Sequence, residues 1–190
     1  MDTALMLRFQ AGEDACFDEL VTRFQRPLQS FLVRMVHDAA ASEELLQEAF
    51  LRVYLHRLRY RPQARFSTWV YHIVHRLALN YVRDHRHECP APERVAEDGA
   101  TDSLVRDLAD GRPNAEQALL AASEQSRRQE RIRAAIAALP ERQRSAVVLN
   151  KYLGLEYEQV AEVLHLSVSA TKSLLFRAYG SLRRELRDLL

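Results

Sequence analysis

The sequence predicts an all-α fold of two small helical domains, and three observations carry that prediction. Apolar residues recur at intervals of three and four along most of the chain, the period of an amphipathic helix. Glycine is scarce, 5 residues of 190, and no stretch alternates apolar and polar residues as a half-buried strand would. One segment, "ECPAPERVAEDGATDSLVRDLADGRP", breaks the helical period with three prolines, two glycines and an excess of acids. Residues 90–113 within it read as a flexible acidic linker between domains spanning 1–89 and 114–190.

Taken in order, Phe17, Leu20, Val21, Phe24, Leu28, Phe31, Leu32 and Met35 trace one face of a first helical region. Pro27 removes a backbone donor there and is expected to kink or break it into two segments. Ser42 is the expected N-cap of the next helix, with Glu43 and Glu44 in a first turn where the dipole favours acids. Leu46, Ala49, Phe50 and Val53 form its buried stripe, and it ends before Pro62. A third helix starts near Ser67 and runs to about His85, with Val70, Ile73, Val74, Leu77 and Tyr81 facing inward.

Beyond the linker, Ala115 to Leu139 is helical up to Pro140, which suits the first turn of a following helix. Two more helices are expected, Glu156 to Leu164 and Ser169 to about Leu189. Their spacing is that of a helix-turn-helix: Val160, Ala161 and Leu164 inward, a turn over His165 to Ser167, then Val168, Thr171, Leu175, Ala178 and Leu182 inward. Ser169, Ala170, Lys172, Ser173, Phe176 and Arg177 are left outside. Small side chains there permit close approach, Lys172 offers a cation for phosphate, and Arg177 can reach a phosphate or a guanine edge. The same spacing also fits a helical hairpin with a solvated basic face.

The stretch "RFSTWVYHIVHRLALNYVRDHRH", residues 65–87, holds the only tryptophan, four of the seven histidines and four arginines against one acid, in a chain of net charge +1. His72, Arg76, Asn80, Arg83 and His87 fall on one stripe opposite the apolar face. Arg59, Arg61 and Arg65 interleave with Tyr60, Phe66 and Trp69. That mixture supplies charge for a backbone and rings for unstacked bases, which is what a single-stranded nucleic-acid site needs. Two plainer readings stand beside it: the stripe as a wet helix face, and Trp69 as a partly buried core residue.

Arginine outnumbers lysine 25 to 2, and its planar fork of donors suits phosphate and guanine, although genome base composition produces the same skew. Cys16 and Cys89 are too few and too far apart for a disulfide framework. No apolar run approaches the roughly 18 residues needed to span a bilayer, and the N-terminus lacks the order of a signal peptide, so a cytoplasmic location without membrane insertion is expected. Histidines two apart in "HRHEC", 85–89, diverge on a helix, which argues against a metal site. With no glycine-rich phosphate loop, nucleophile elbow or paired acids, neither catalysis nor a cofactor is expected.

Three motifs in order resemble the extracytoplasmic-function sigma factors, the two-domain members of the bacterial sigma-70 family. "SEELLQEAFLRVY" is similar to that family's polymerase-binding helix, and "RFSTWVYHIVHRLALNYVRD" to its promoter-melting and minus-ten segment. "LPERQRSAVVLNKYLGLEYEQVAEVLHLSVSATKSLLFRA" is similar to its minus-thirty-five domain. The resemblance implies a subunit that binds core RNA polymerase, at the β′ clamp and β flap, and directs it to promoter DNA, with an anti-sigma factor as a possible further partner. It puts Glu44, Gln47, Glu48, Phe50 and Arg52 against the clamp. Phe66, Ser67 and Thr68 would lie in a loop that holds a flipped base, flanked by Arg65 and Trp69, with His72, Arg76, Asn80 and Arg83 on the helix behind. Ser169, Ala170, Lys172, Ser173, Phe176 and Arg177 would face the minus-thirty-five duplex. The chain departs from the family pattern at Ala41, where an acid is common, at Arg76, where asparagine is common, and at His165, where glycine is common. A ligand-responsive helix-turn-helix repressor is the alternative; it would leave the aromatic and arginine cluster of the N-terminal half unexplained.

Overall fold

The computed structural model describes residues 1–63, 65–85 and 115–189, with the backbone alone for 115–122. The expected linker over 90–113, and His87 and Cys89, lie outside the described residues. Within them every regular element is helical. The N-terminal domain comprises α1 (Asp2–Gln10), α2 (Ala15–Val36), α3 (Ala39–Leu55), a 3-10 turn (Arg57–Arg59) and α4 (Phe66–Asp84). The C-terminal domain comprises α5 (Ala115–Ala137), α6 (Glu141–Val147) running into a π turn (Val148–Tyr152), α7 (Tyr157–Leu164), α8 (Val168–Glu185) and a closing 3-10 turn (Arg187–Leu189).

α1 is an element that the apolar pattern from Phe17 onward did not include. Its Leu5, Met6 and Phe9 lie on one face, all buried, and the Phe9 ring stacks on Phe17 of α2 at 5.0 Å. α2 is not broken at Pro27, and the helix continues through it. A proline inside a helix costs about 3 kcal/mol. Here the buried stripe Leu20, Phe24, Leu28, Phe31, Leu32 and Met35 extends on both sides of it, and each such side chain contributes roughly 1.5–3 kcal/mol when fully buried. Packing therefore outweighs the local penalty.

The N-cap of α3 is Asp38, not Ser42. Its carboxylate accepts a hydrogen bond from the Ala41 amide at 2.9 Å, so the helix starts a full turn earlier and Glu43 and Glu44 fall outside the first turn. Ser42 is wholly buried, and its hydroxyl donates to the Asp38 carbonyl at 2.5 Å. Aspartate and serine cap comparably well, and the apolar period alone does not say which of two candidates four residues apart begins the helix.

In the C-terminal domain, α6 follows Pro140 as anticipated. Ser145 through Leu149 are all buried, five residues in succession. A helical stretch buried all round needs neighbours on more than one side. It has them: α6 packs on α8, and the π turn that continues it packs on α2. The buried residues of both domains accordingly form one continuous cluster. The two domains are in contact, with α7 lying across α4.

Candidate nucleic-acid interface

The helix-turn-helix lies where the sequence put it. Glu156 caps α7 in a reciprocal arrangement with Gln159. His165 ends the helix in the left-handed region at φ 52°, and Ser167 caps α8 by accepting from the Ala170 amide at 3.1 Å. Histidine thus occupies a turn position that glycine fills most easily. Val160, Ala161, Thr171, Leu175 and Ala178 are buried as expected, and Val163 and Leu174 join them. Opposite that face Ser169, Ala170, Lys172, Ser173, Phe176 and Arg177 are all exposed, Phe176 at 81%. Arg177 has no ion-pair partner among the described residues, so its donors are available to a phosphate or a base edge.

The opening of α4 is different. Phe66 and Thr68 lie within the first turn of the helix, not in a preceding loop, and both are buried. Phe66 packs edge-on against Phe24 at 5.1 Å and Tyr60 at 6.1 Å, and Trp69 lies against Tyr60 at 5.3 Å and Phe66 at 6.0 Å. Tyr60 is itself buried. The exposed aromatic and arginine cluster read from the sequence is thus corrected: these rings form core, and only the half-buried Trp69 retains an accessible edge. Interleaved spacing cannot separate rings that stack on a base from rings that stack on one another. The charged part remains outside. Arg65 and Arg76 are exposed and lack an ion-pair partner among the described residues, Arg83 pairs with Asp84 at 3.1 Å, and Ser67, His72 and Asn80 are half-buried. His85 folds back on Tyr81, its Nδ1 3.0 Å from the Tyr81 carbonyl.

On α3, Glu44 and Gln47 are exposed, and Glu48 pairs with Arg52 at 2.6 Å. Phe50 is half-buried, meeting Phe17 edge-on at 6.4 Å. The exposed apolar side chains nearby include Leu51 at 51%, Leu55 at 62% and Leu58 at 66%, none of them singled out beforehand. Their spacing of four and three was legible as a second stripe, off the core face, in "LRVYLHRL".

Among the described residues no helix is long and apolar enough to cross a membrane. Two helical domains, one with a helix-turn-helix exposing an arginine and small residues, define a DNA-reading protein. The Sigma-70 region 2 family matches residues 20–88, and the Sigma-70, region 4 family matches 129–182. RNA polymerase sigma-H factor of Pseudomonas aeruginosa is 31% identical over 192 residues, covering 100% of this chain and 95% of the relative. The ECF RNA polymerase sigma-E factor of Haemophilus influenzae is 28% identical, covering 100% and 97%. In fold, the chain is similar to the sigma factor RpoE in its complex with the anti-sigma factor NepR from Bartonella quintana. There the TM-score is 0.65, the identity 17%, and the coverage 90% of this chain and 96% of that one.

The chain belongs to the sigma-70 family, among its extracytoplasmic-function members. It is a sigma factor, which binds core RNA polymerase and directs promoter-specific initiation. The repressor alternative is not favoured, and members of this family are not enzymes.

Proposed function

We propose a division of labour among three helices. The outer face of α3 and the 3-10 turn after it meet the polymerase β′ clamp, with Glu44, Gln47, Glu48 and Arg52 as polar groups and Leu51, Leu55 and Leu58, beside the half-buried Phe50, as the apolar anchor. An exposed apolar row rimmed by charge is the usual anatomy of a protein interface. α8 reads the minus-thirty-five duplex through Ser169, Ala170, Lys172, Ser173, Phe176 and Arg177. α4 takes the melted minus-ten strand along Arg65, Ser67, His72, Arg76, Asn80 and Arg83, with the edge of Trp69 beside them. Phe66 and Thr68 act there as supports. Residues 1–89 and 114–190 are the working domains, and 90–113 and the β flap tether the second to the first and to polymerase. Two modest DNA contacts held this way gain from effective concentration, and neither has to be tight alone. An anti-sigma factor is a fitting partner, because a neighbour of the same fold is a sigma factor bound to one. The chain then acts where core polymerase is, in the cytoplasm.

The observation that carries this reading is the exposure of all six clustered side chains on α8. Transcription with purified core polymerase on genomic promoter fragments tests it. The expected outcome is transcript that depends on the protein and starts at discrete sites. Joint Leu55→Glu and Leu58→Glu substitution should abolish that transcript and core binding together while leaving helicity intact. Equal yields with and without the folded protein would overturn the proposal.

A further inference from the structure

The two domains meet along a seam of histidines. His37, the residue that ends α2, has its Nε2 3.2 Å from Nη1 of Arg144 on α6. His75 Nε2 on α4 lies 3.1 Å from the buried Ser145 hydroxyl. His72 Nε2, one turn earlier, lies 2.6 Å from Nε2 of His165 at the end of α7, with the rings edge-on at 4.6 Å. Each contact joins one domain to the other.

The chemistry of these contacts limits the charge the rings can carry. A guanidinium has donors only, so His37 must accept and be neutral. Of two facing Nε2 atoms one must accept, so His72 and His165 cannot both be protonated. The Ser145 hydroxyl donates to the Glu141 carbonyl at 2.9 Å, leaving its lone pairs to the His75 N–H in a setting where burial opposes a charge. His37 and His165 are also the two non-glycine residues at positive φ among the described residues, at 61° and 52°. Such a conformation is uncommon outside glycine.

We propose that this seam is an acid-released latch, in which neutral rings hold the domains together across α4 and their protonation below neutral pH lets the domains part.

The charged groups that act on His37, His72 and His75 are basic. His165 at the end of α7 and Arg76 from α4 act on His72, His72 and His165 act on His75, and Arg144 from α6 acts on His37. Asp38, next to His37, turns its carboxylate to the Ala41 amide and, at 3.4 Å, the Tyr81 hydroxyl. From α2, Arg34 lies over the Tyr152 ring at 4.3 Å. On α1 and α3, Asp2 and Glu48 are paired with Arg23 and Arg52, and Glu158 and Glu162 of α7 are exposed. Burial, then Arg144, lowers His37 to about 4. Burial, then His72 and His165, lowers His75 to about 4. Burial first, then His165 and Arg76, lowers His72. In the parted form these rings return toward the ordinary value of about 6.5. The closed form therefore has its full stability above about pH 6.5 and loses it as pH falls from there toward about 4, because the open form takes up protons first.

Parting is a property of the chain alone. Only its consequence, fuller access to His72 and its neighbours on α4, rests on the promoter reading above. Small-angle scattering of the full chain from about pH 7.5 to about pH 5, with circular dichroism in parallel, tests the latch across the range in which histidine titrates. The radius of gyration should rise on acidification while helicity holds. Asparagine tolerates left-handed backbone and cannot titrate at position 37, so His37→Asn should shift the expansion to lower pH. His72→Gln should shift it in the same direction and serves if His37→Asn does not fold. A constant radius to about pH 5, expansion only together with loss of helicity, or expansion of the variants at the wild-type pH would each overturn the latch.

Discussion

α8 and α4, the two helices assigned to DNA, are built on opposite plans. α8 rests on its domain by Thr171, Leu174, Leu175 and Ala178 and keeps every candidate contact outside. α4 turns Phe66 and Thr68 inward, half-buries Trp69, and lies under α7 of the other domain. A duplex presents its base edges in an open groove, so its reader needs side chains standing off a rigid rod before contact is made. On the proposed reading a melted strand lies along α4, and the ring cluster of Phe24, Tyr60, Phe66 and Trp69 supports that face by fixing the start of the helix. On that reading the same residue types, aromatic and basic, do different work in the two places.

The largest effect expected from this contrast is on stability. Phe66→Ala should destabilise the N-terminal domain by about 3–5 kcal/mol, the range for removing a large buried aromatic side chain, read as a lower denaturant midpoint. A change near zero would make Phe66 a free stacking ring after all and erase the difference between the helices. Arg177→Ala should behave in the reverse way, leaving the midpoint unchanged and weakening duplex binding by about 1–3 kcal/mol if the side chain reads a base edge. A loss that is uniform across all sequences would assign it to phosphate instead. Smaller again, Asp38→Ala should destabilise by about 1 kcal/mol through loss of the α3 cap, whereas Ser42→Ala acts through a buried side chain. Thermal melts of the two variants, with helix content compared at low temperature, check which residue starts the helix.

Much of this architecture was legible because the apolar period is a direct imprint of burial. The helix-turn-helix, the inner face of α4 and the exposed side of α8 all follow from it. What the period could not supply was anything decided by a partner outside the helix. Pro27 is tolerated because α2 is anchored on both sides of it. The rings around Phe66 face each other across three segments that sequence spacing cannot bring together. The run from Ser145 to Leu149 is buried all round because the N-terminal domain covers its far side, and His165, a departure from the family's usual glycine, makes a contact 93 residues away in sequence. The apolar row Leu51, Leu55 and Leu58 was present in the sequence, but the buried stripe beside it held the eye.

The central claim is that one domain reads duplex and the other reads an opened strand. Its most direct test is promoter opening by polymerase carrying Asn80→Ala or Arg177→Ala, compared on an intact promoter and on one pre-melted at the minus-ten element. Pre-melting removes the unpairing cost that a strand-reading pocket must offset. Asn80→Ala should then still change which base is preferred at one minus-ten position on the pre-melted template, while Arg177→Ala alters only the response to minus-thirty-five sequence. Equal impairment of both variants on both templates, with no change in base preference, would contradict the claim and leave α4 as a solvated structural helix.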